Sequence, residues 1–411
     1  MKKGFFLKGK IPITVAILSL GLVNMTHGII LTVLSDLNKT YPEVGDTWVQ
    51  FLYTVTLLGM VVGMISAEFF ARKFRLKAIF LTCMAVFVFS GLIPLFLESY
   101  MALLICRVFL GVSSGMVYPL SMTLIYDIFV STKERDTIVG WNGCVASIGR
   151  IVTYSIAGLI ITSNYRNVFF IHIIGLVPFL LVLFFIPGDT GSRHYSSESD
   201  RSETGKKQIL GKTVITWIAV SFLYMLFELC FSSNMSVLMN STSFGDSQLA
   251  AFTLSVMTAG YFSCNLFYGK IASVTRKSTV AIGAVISAVG LVGVAFAPNR
   301  ILVFISAFVN GFGEGVAVQG CVSRVLSSAD VSTRSRAISV NSAMGNLGMG
   351  ISPFVVRGLS VIFTGSVRGR YVVCAIVLLL LGMVLLISQF SAHEMNGRNI
   401  QEEKDAASCN R

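Results

Sequence analysis

Apolar residues in this chain fall into long blocks set apart by short polar stretches. Residues 371–390 carry no charged side chain, and 151–161 is likewise free of charge. A helical block of about 20 apolar residues spans the hydrocarbon core of a bilayer. Inside lipid each backbone amide needs a partner within its own segment, so such blocks predict helices. Twelve can be placed. The first six cover 11–34, 48–70, 78–97, 100–124, 137–162 and 168–187. The second six cover 213–238, 248–270, 279–298, 301–325, 336–360 and 371–391. The expected fold class is an all-α membrane protein with two six-helix bundles, 1–187 and 213–391. A Ser-, Gly- and charge-rich linker at 188–212 joins them, and a tail follows at 392–411.

Composition agrees with this pattern. Hydrophobic residues make up 54% of the chain and charged residues 13%, against about 25% charged in a soluble domain. A soluble chain of this balance would leave apolar surface it could not hide. The net charge of +12 suggests nucleic acid at first sight, but the cations sit in alternate loops. Lys2, Lys3, Lys8 and Lys10 precede the first block. Arg72, Lys73, Arg75 and Lys77, then Lys133 and Arg135, then Arg193, Arg201, Lys206 and Lys207, then Arg276 and Lys277, then Arg334 and Arg336 follow in every second connection. The intervening connections hold only Lys39, Arg166, Arg300, Arg368 and Arg370. Lys and Arg stay on the cytoplasmic side, so both termini are expected in the cytoplasm with an even number of spans. The expected location is a bacterial inner membrane, with lipid rather than nucleic acid as the surrounding partner. No small-residue cleavage site follows the basic N-terminus, so the first block reads as a retained span.

The halves resemble each other. Asn142 to Gly149 reads NGCVASIG and Asn341 to Gly348 reads NSAMGNLG, each Asn trailing an Arg (Arg135, Arg334) by the same spacing. The second and eighth blocks both end in Arg-Lys pairs, Arg72-Lys73 and Arg276-Lys277. Weak internal repeats of this kind mark transporters built from two related halves. Chance likeness of two apolar helices is the alternative, but position within each half agrees as well as residue type.

The fourth block reads RVFLGVSSGMVYP, with Arg107, Gly111 and Gly115 four apart on one helix face and Pro119 beyond. Glycines so spaced let a neighbouring helix approach closely. This segment, with KERD at 133–136 and YRNVF at 165–169, resembles the signatures of the major facilitator superfamily. The loop AEFFARKFRLK resembles the family's charged loop in part: Glu68 stands near the acidic position and Arg72 and Lys73 match the basic pair, while Phe69 and Ala71 depart from it. The resemblance runs along the whole chain and implies two bundles around a central cavity, alternating access and no enzymatic activity. It lies nearest to the drug- and sugar-efflux branches, although Arg150 stands where their fifth span carries Pro. In the family, Glu68, Arg72 and Lys73 would form a conformational loop, and Arg107 a proton-coupling position.

Ionisable residues near the bilayer midplane cost about 2.5–3.5 kcal/mol on insertion scales and so face a cavity or a partner. Glu228 lies on one helix face with Tyr224 and Ser232. A desolvated carboxylate can exchange a proton near neutral pH, as proton coupling requires; a packing hydrogen bond is the plainer reading. Glu314 lies in NGFGEG with Asn310 on its face, and the glycines leave room for a hinge or a cavity wall. Arg150 can clamp a substrate carboxylate with its planar fork or pair with Glu228 or Glu314. Asn24 and His27 share a face of the first span, His titrating near neutrality, although a lone membrane His is often only a hydrogen-bond partner. Tyr154, Asn341 and Asn346, with Asn142, are weaker candidates for polar contacts. Trp141 and Trp217 suit interfacial anchoring.

Other chemistries find little support. GKKQILGKT at 205–213 has five residues where a phosphate loop has four, and no strand precedes it. The eight cysteines include no CxxC pair, so no metal or redox site is expected. No cofactor is expected; the proton gradient is the energy source. The sequence therefore points to a monomeric secondary transporter of a small organic molecule, with proton-coupled efflux by antiport preferred. Proton-coupled uptake of a small organic anion is the alternative, favoured by Arg150 and Arg107. A non-transporting membrane sensor is the reading from another class, and it lacks an output domain of any size.

Overall fold

The computed structural model describes residues 11–129, 132–161, 164–186, 210–330, 333–361 and 365–409, and the described residues are helical with no strand. Positions 187–209, most of the expected linker, lie outside the described residues. The first half comprises α1 (Ile11–Leu20), α2 (Val23–Thr26), a 3-10 stretch (His27–Val33), α3 (Leu34–Thr40), α4 (Asp46–Lys73), α5 (Leu76–Leu92), α6 (Tyr100–Ile128), α7 (Thr132–Ile160), a second 3-10 stretch (Tyr165–Gly175) and α8 (Leu176–Phe185). The second half comprises α9 (Lys212–Asn240), α10 (Ser247–Thr275), α11 (Thr279–Ala295), α12 (Arg300–Ser328), α13 (Arg334–Ser360) and α14 (Val367–Cys409).

Among the described residues, eight helices are long and apolar enough to cross a membrane, and Ile11–Leu20, Cys144–Ile160 and Thr279–Ala295 are shorter apolar segments. The first apolar block is not one continuous helix. It breaks after Leu20 and runs through a 3-10 stretch from His27 before resuming at Leu34. Gly21 and Gly28 stand at these changes, and each is pressed against a side chain of α7: a Cβ on Gly21 would strike Asn142 Oδ1, 2.5 Å away, and one on Gly28 would overlap the Tyr154 hydroxyl. The last helix runs on beyond the expected end of its span, to Cys409.

Helix starts follow capping chemistry. Asp246 accepts a hydrogen bond from the Leu249 amide at 2.7 Å and Asn299 from the Leu302 amide at 2.9 Å, which satisfies amides at the openings of α10 and α12. α4 and α6 pack as a pair, and so do α10 and α12. Both seams are made by glycine. A Cβ on Gly63 would overlap the Val112 carbonyl, one on Gly111 the Thr56 carbonyl, and one on Gly115 the Met60 carbonyl. In the second half a Cβ on Gly260 would overlap the Phe308 carbonyl and one on Gly311 the Met257 carbonyl. Without a hydrophobic drive between helices in lipid, such close backbone contact supplies the attraction.

The bundle has two distinguishable ends. At the linker end lie the close of α8 and the start of α9. At the far end one buried cluster takes in both halves, with Ile29, Val33, Leu34 and Leu37 against Phe231, Met235 and Leu238. Towards the linker end the buried clusters belong to one half each: Phe80, Leu110, Val117 and Phe129 in the first, Val214, Ile218, Val325, Ala329 and Ala337 in the second.

Candidate functional site

Charges carried inside the membrane-spanning helices meet at mid-depth between the halves. Arg150, ten residues before the end of α7, lies within electrostatic reach of Glu314 from the middle of α12. Tyr154 on the same helix, Tyr53 of α4 and Tyr261 of α10 lie within the same electrostatic reach of that arginine. Two helices of each half thus contribute to one site. Tyr53 and Tyr154 are almost fully enclosed, whereas Arg150, Tyr261 and Glu314 are half-buried. The Arg150 Nε has no hydrogen-bond partner among the described residues, which leaves donor capacity for a ligand. His27 stacks on Tyr53 with ring centroids 6.2 Å apart, so the first span is tied into the tyrosine wall.

A second carboxyl group sits deeper in the second half. Glu228 of α9 is 2% exposed, next to Tyr224, Asn310 and Glu314. The Tyr224 hydroxyl pairs instead with Ser287 Oγ at 2.7 Å, and Asn310 Nδ2 donates to the Ser287 carbonyl at 3.2 Å. Neither Glu228 oxygen has a hydrogen-bonding partner in good geometry among the described residues. Of the two acids suggested as partners for Arg150, Glu314 is the one within its electrostatic reach, while Glu228 is within reach of Glu314. Asn310 serves Ser287 and the Glu228 neighbourhood, not the Arg150 surroundings. From Glu314 a polar stripe descends between α10 and α12. Gln319 Nε2 donates to Asn265 Oδ1 at 3.2 Å, and beyond this pair opens a cavity of about 480 Å³ lined by Tyr268, Gln319, Ser323 and Leu326.

The remaining candidates are more dispersed. Arg107 of α6 is 2% exposed, lies over the Phe169 ring at 5.3 Å and neighbours His172 rather than either acid. Asn341 is buried on α13 and Asn346 half-buried; among the described residues no contact brings either to Arg150. Lys73 is exposed, its Nζ 5.1 Å from the Phe69 ring centre. The side chains of Asn24, Glu68 and Arg72 lie outside the described residues. Trp141 is half-exposed, in keeping with an anchoring role, while Trp217 lies under the Arg324 guanidinium.

Tyr53 and Tyr261 do not stand out in the sequence, because an aromatic residue in an apolar block looks like packing until its neighbours are known. Arg370 is expected among the loop cations. Arg370 is instead 6% exposed, within α14, and pairs with Asp46 at the start of α4. Only their separation by most of the chain hid this pair.

Comparison with known proteins fits this geometry. The cis,cis-muconate transport protein of Acinetobacter baylyi is 24% identical over 352 residues, covering 79% of this chain and 83% of the relative. In fold, the chain matches a nucleoside transporter (TM-score 0.73, 13% identity, 92% of this chain and 99% of that one) and a D-xylose–proton symporter (TM-score 0.73, 15% identity, 91% and 97%). The family model for the Major Facilitator Superfamily matches residues 13–248 and 217–408. The chain is a multi-pass membrane transporter and no enzyme, and it belongs to the major facilitator superfamily.

Proposed function

We propose that this transporter takes up a small organic anion together with a proton, and that Arg150 binds the anion. The observation that carries the reading is the opposition of Arg150 and Glu314 across the two halves, inside a wall of Tyr53, Tyr154 and Tyr261. A guanidinium matches a carboxylate with two parallel donors, and tyrosine hydroxyls supply further hydrogen bonds to its oxygens. Glu314 competes with the substrate for the same cation. When Glu314 is protonated, Arg150 is free for the anion; when Glu314 is charged, it draws Arg150 back and expels the anion. Proton and anion therefore travel together. Glu228, within electrostatic reach of Glu314, is a second holding point for the proton.

The 24%-identical relative is named for a dicarboxylate, which makes small carboxylates the class to try first. A cationic drug would meet Arg150 at the centre of the site, so cation efflux is the weaker reading. The test is uptake into proteoliposomes under an inward proton gradient, with a panel of small mono- and dicarboxylates including cis,cis-muconate, plus lipophilic cations. Accumulation of one or more carboxylates, lost in Arg150→Ala, is expected. Transport confined to cations, with every carboxylate inert, would overturn the reading.

A further inference from the structure

We propose that Asp46, Arg370, Asn234 and Gln50 form a charged latch that clamps the far end of the two halves and opens once in each transport cycle. Asp46 and Gln50 belong to the first half; Asn234 and Arg370 belong to the second. Gly45, with φ +83°, turns the chain so that Asp46 opens α4 at the seam; a side chain at that position would be strained. Arg370 Nη1 bonds Asp46 Oδ2 and also donates to Asn234 Oδ1 at 2.8 Å. Gln50 Nε2 donates to the same Asn234 oxygen at 2.8 Å. Asn38 Nδ2 holds the other Asp46 oxygen at 2.9 Å, and Arg357 Nη1 lies 3.6 Å from Oδ2. Asp46 is thus fixed by its own half while two arginines of the other half close upon it.

Other contacts line up along the same seam. Ser247 Oγ donates to Asp36 Oδ2 at 2.6 Å, the Ser35 amide donates to Ser236 Oγ at 3.3 Å, and Ser236 Oγ donates to the Thr32 carbonyl at 3.1 Å. Trp48 and Phe51 of α4 pack edge-on against Phe354 of α13, with centroids 5.6 and 5.5 Å apart.

The chemistry suits a reversible clasp. A fully desolvated ion pair is expensive to separate and an exposed one contributes little. Asp46 and Arg357 keep partial access to solvent, so water can replace the partners as the halves part. Alternating access requires the mid-depth site to open at one end while the other is closed. Here the closed end is the far one, where the buried core takes in both halves.

The latch is independent of which substrate is carried, and its test uses no substrate. Spin labels at Glu43 and Ser243, both exposed and on opposite halves beside the seam, report the far-end distance by double electron–electron resonance. Cys144 and Cys409 are first changed to serine; the other cysteines are buried. The starting protein should give mainly one short distance. Asp46→Asn and Arg370→Gln should each raise the ratio of a longer-distance population about tenfold, and the double variant should add little, since both remove one coupled interaction. Gln50→Ala, which removes a hydrogen bond but no charge, should shift the ratio the same way by about threefold; it keeps the test available if a charge variant fails to fold. Distance distributions unchanged in the variants that fold, with melting temperatures as in the starting protein, would overturn the latch.

Discussion

The two halves share a scaffold but not a charge. In each, a glycine face on one long helix meets a backbone on its neighbour: α6 against α4 through Gly111 and Gly115, α12 against α10 through Gly311. One turn before the first of these glycines the first half carries Arg107, where the second carries Ala307. The ionisable groups at mid-depth divide in the same way, Arg150 in the first half and Glu228 and Glu314 in the second. The packing is alike in both, since backbone contact at these glycines tolerates no added side chain. The ionisable groups differ by sign, so that Arg150 of one half and Glu314 of the other lie within electrostatic reach across the interface.

The largest effects should come from breaking what the halves share. Gly111→Val and Gly311→Val each drive methyl groups into a neighbouring carbonyl, and overpacking of this kind costs about 1–3 kcal/mol or more. Both variants should lose most folded protein by size-exclusion yield and thermal melting, to similar degrees. Tolerance of one and collapse of the other would mean that the two seams do not bear equal loads.

Next come the charges that differ. Arg150→Ala should weaken binding of the transported carboxylate by roughly 30-fold or more, as expected when one partner of a buried charge pair is removed at about 2–5 kcal/mol. The check is titration by thermal shift, since bound ligand stabilises the fold by mass action. Glu314→Gln should keep anion exchange between preloaded vesicles and external substrate while losing accumulation driven by the proton gradient. Glu228→Gln should reduce gradient-driven accumulation less, because Glu228 touches the anion site only through Glu314. Equal rates and equal gradient dependence in the Glu228, Glu314 double Gln variant would remove both residues from coupling.

Much of this was legible in the chain. Block length and composition dictate an all-helical membrane protein, and the Arg107–Gly111–Gly115 spacing points to a tight helix contact. Arg150, Glu228 and Glu314 stand out because a charge in an apolar block has to be explained. What the sequence could not give was pairing. Tyr53 and Tyr261 differ from core aromatics only by what lies opposite them. Asp46 and Arg370 sit at block ends, where charges are ordinary, and their meeting depends on how two bundles dock. The broken first span was also hidden, because Gly21, Asn24 and Gly28 are too few to interrupt an apolar average.

The smallest effect tests Arg107, the charge without a counterpart in the second half. Its two terminal nitrogens have no hydrogen-bond acceptor among the described residues. The ring of Phe169 lies 5.3 Å from the guanidinium carbon and offers its negative face. His172 completes the surroundings. Its Nδ1 lies 3.0 Å from the Phe169 carbonyl, an atom that only accepts, so Nδ1 carries the proton. In the neutral ring Nε2 then presents a lone pair. The same residue thus supplies the ring under Arg107 and the carbonyl that orients His172. Phe169→Leu keeps an apolar side chain and the carbonyl but removes the ring, and should lower stability by about 0.5–2 kcal/mol, a drop of a few degrees in melting temperature with carboxylate affinity unchanged. Phe169→Tyr should restore most of it. If Phe169→Leu melts normally but binds carboxylate more weakly, Arg107 belongs to the anion site, and the first half offers the substrate two cations rather than one.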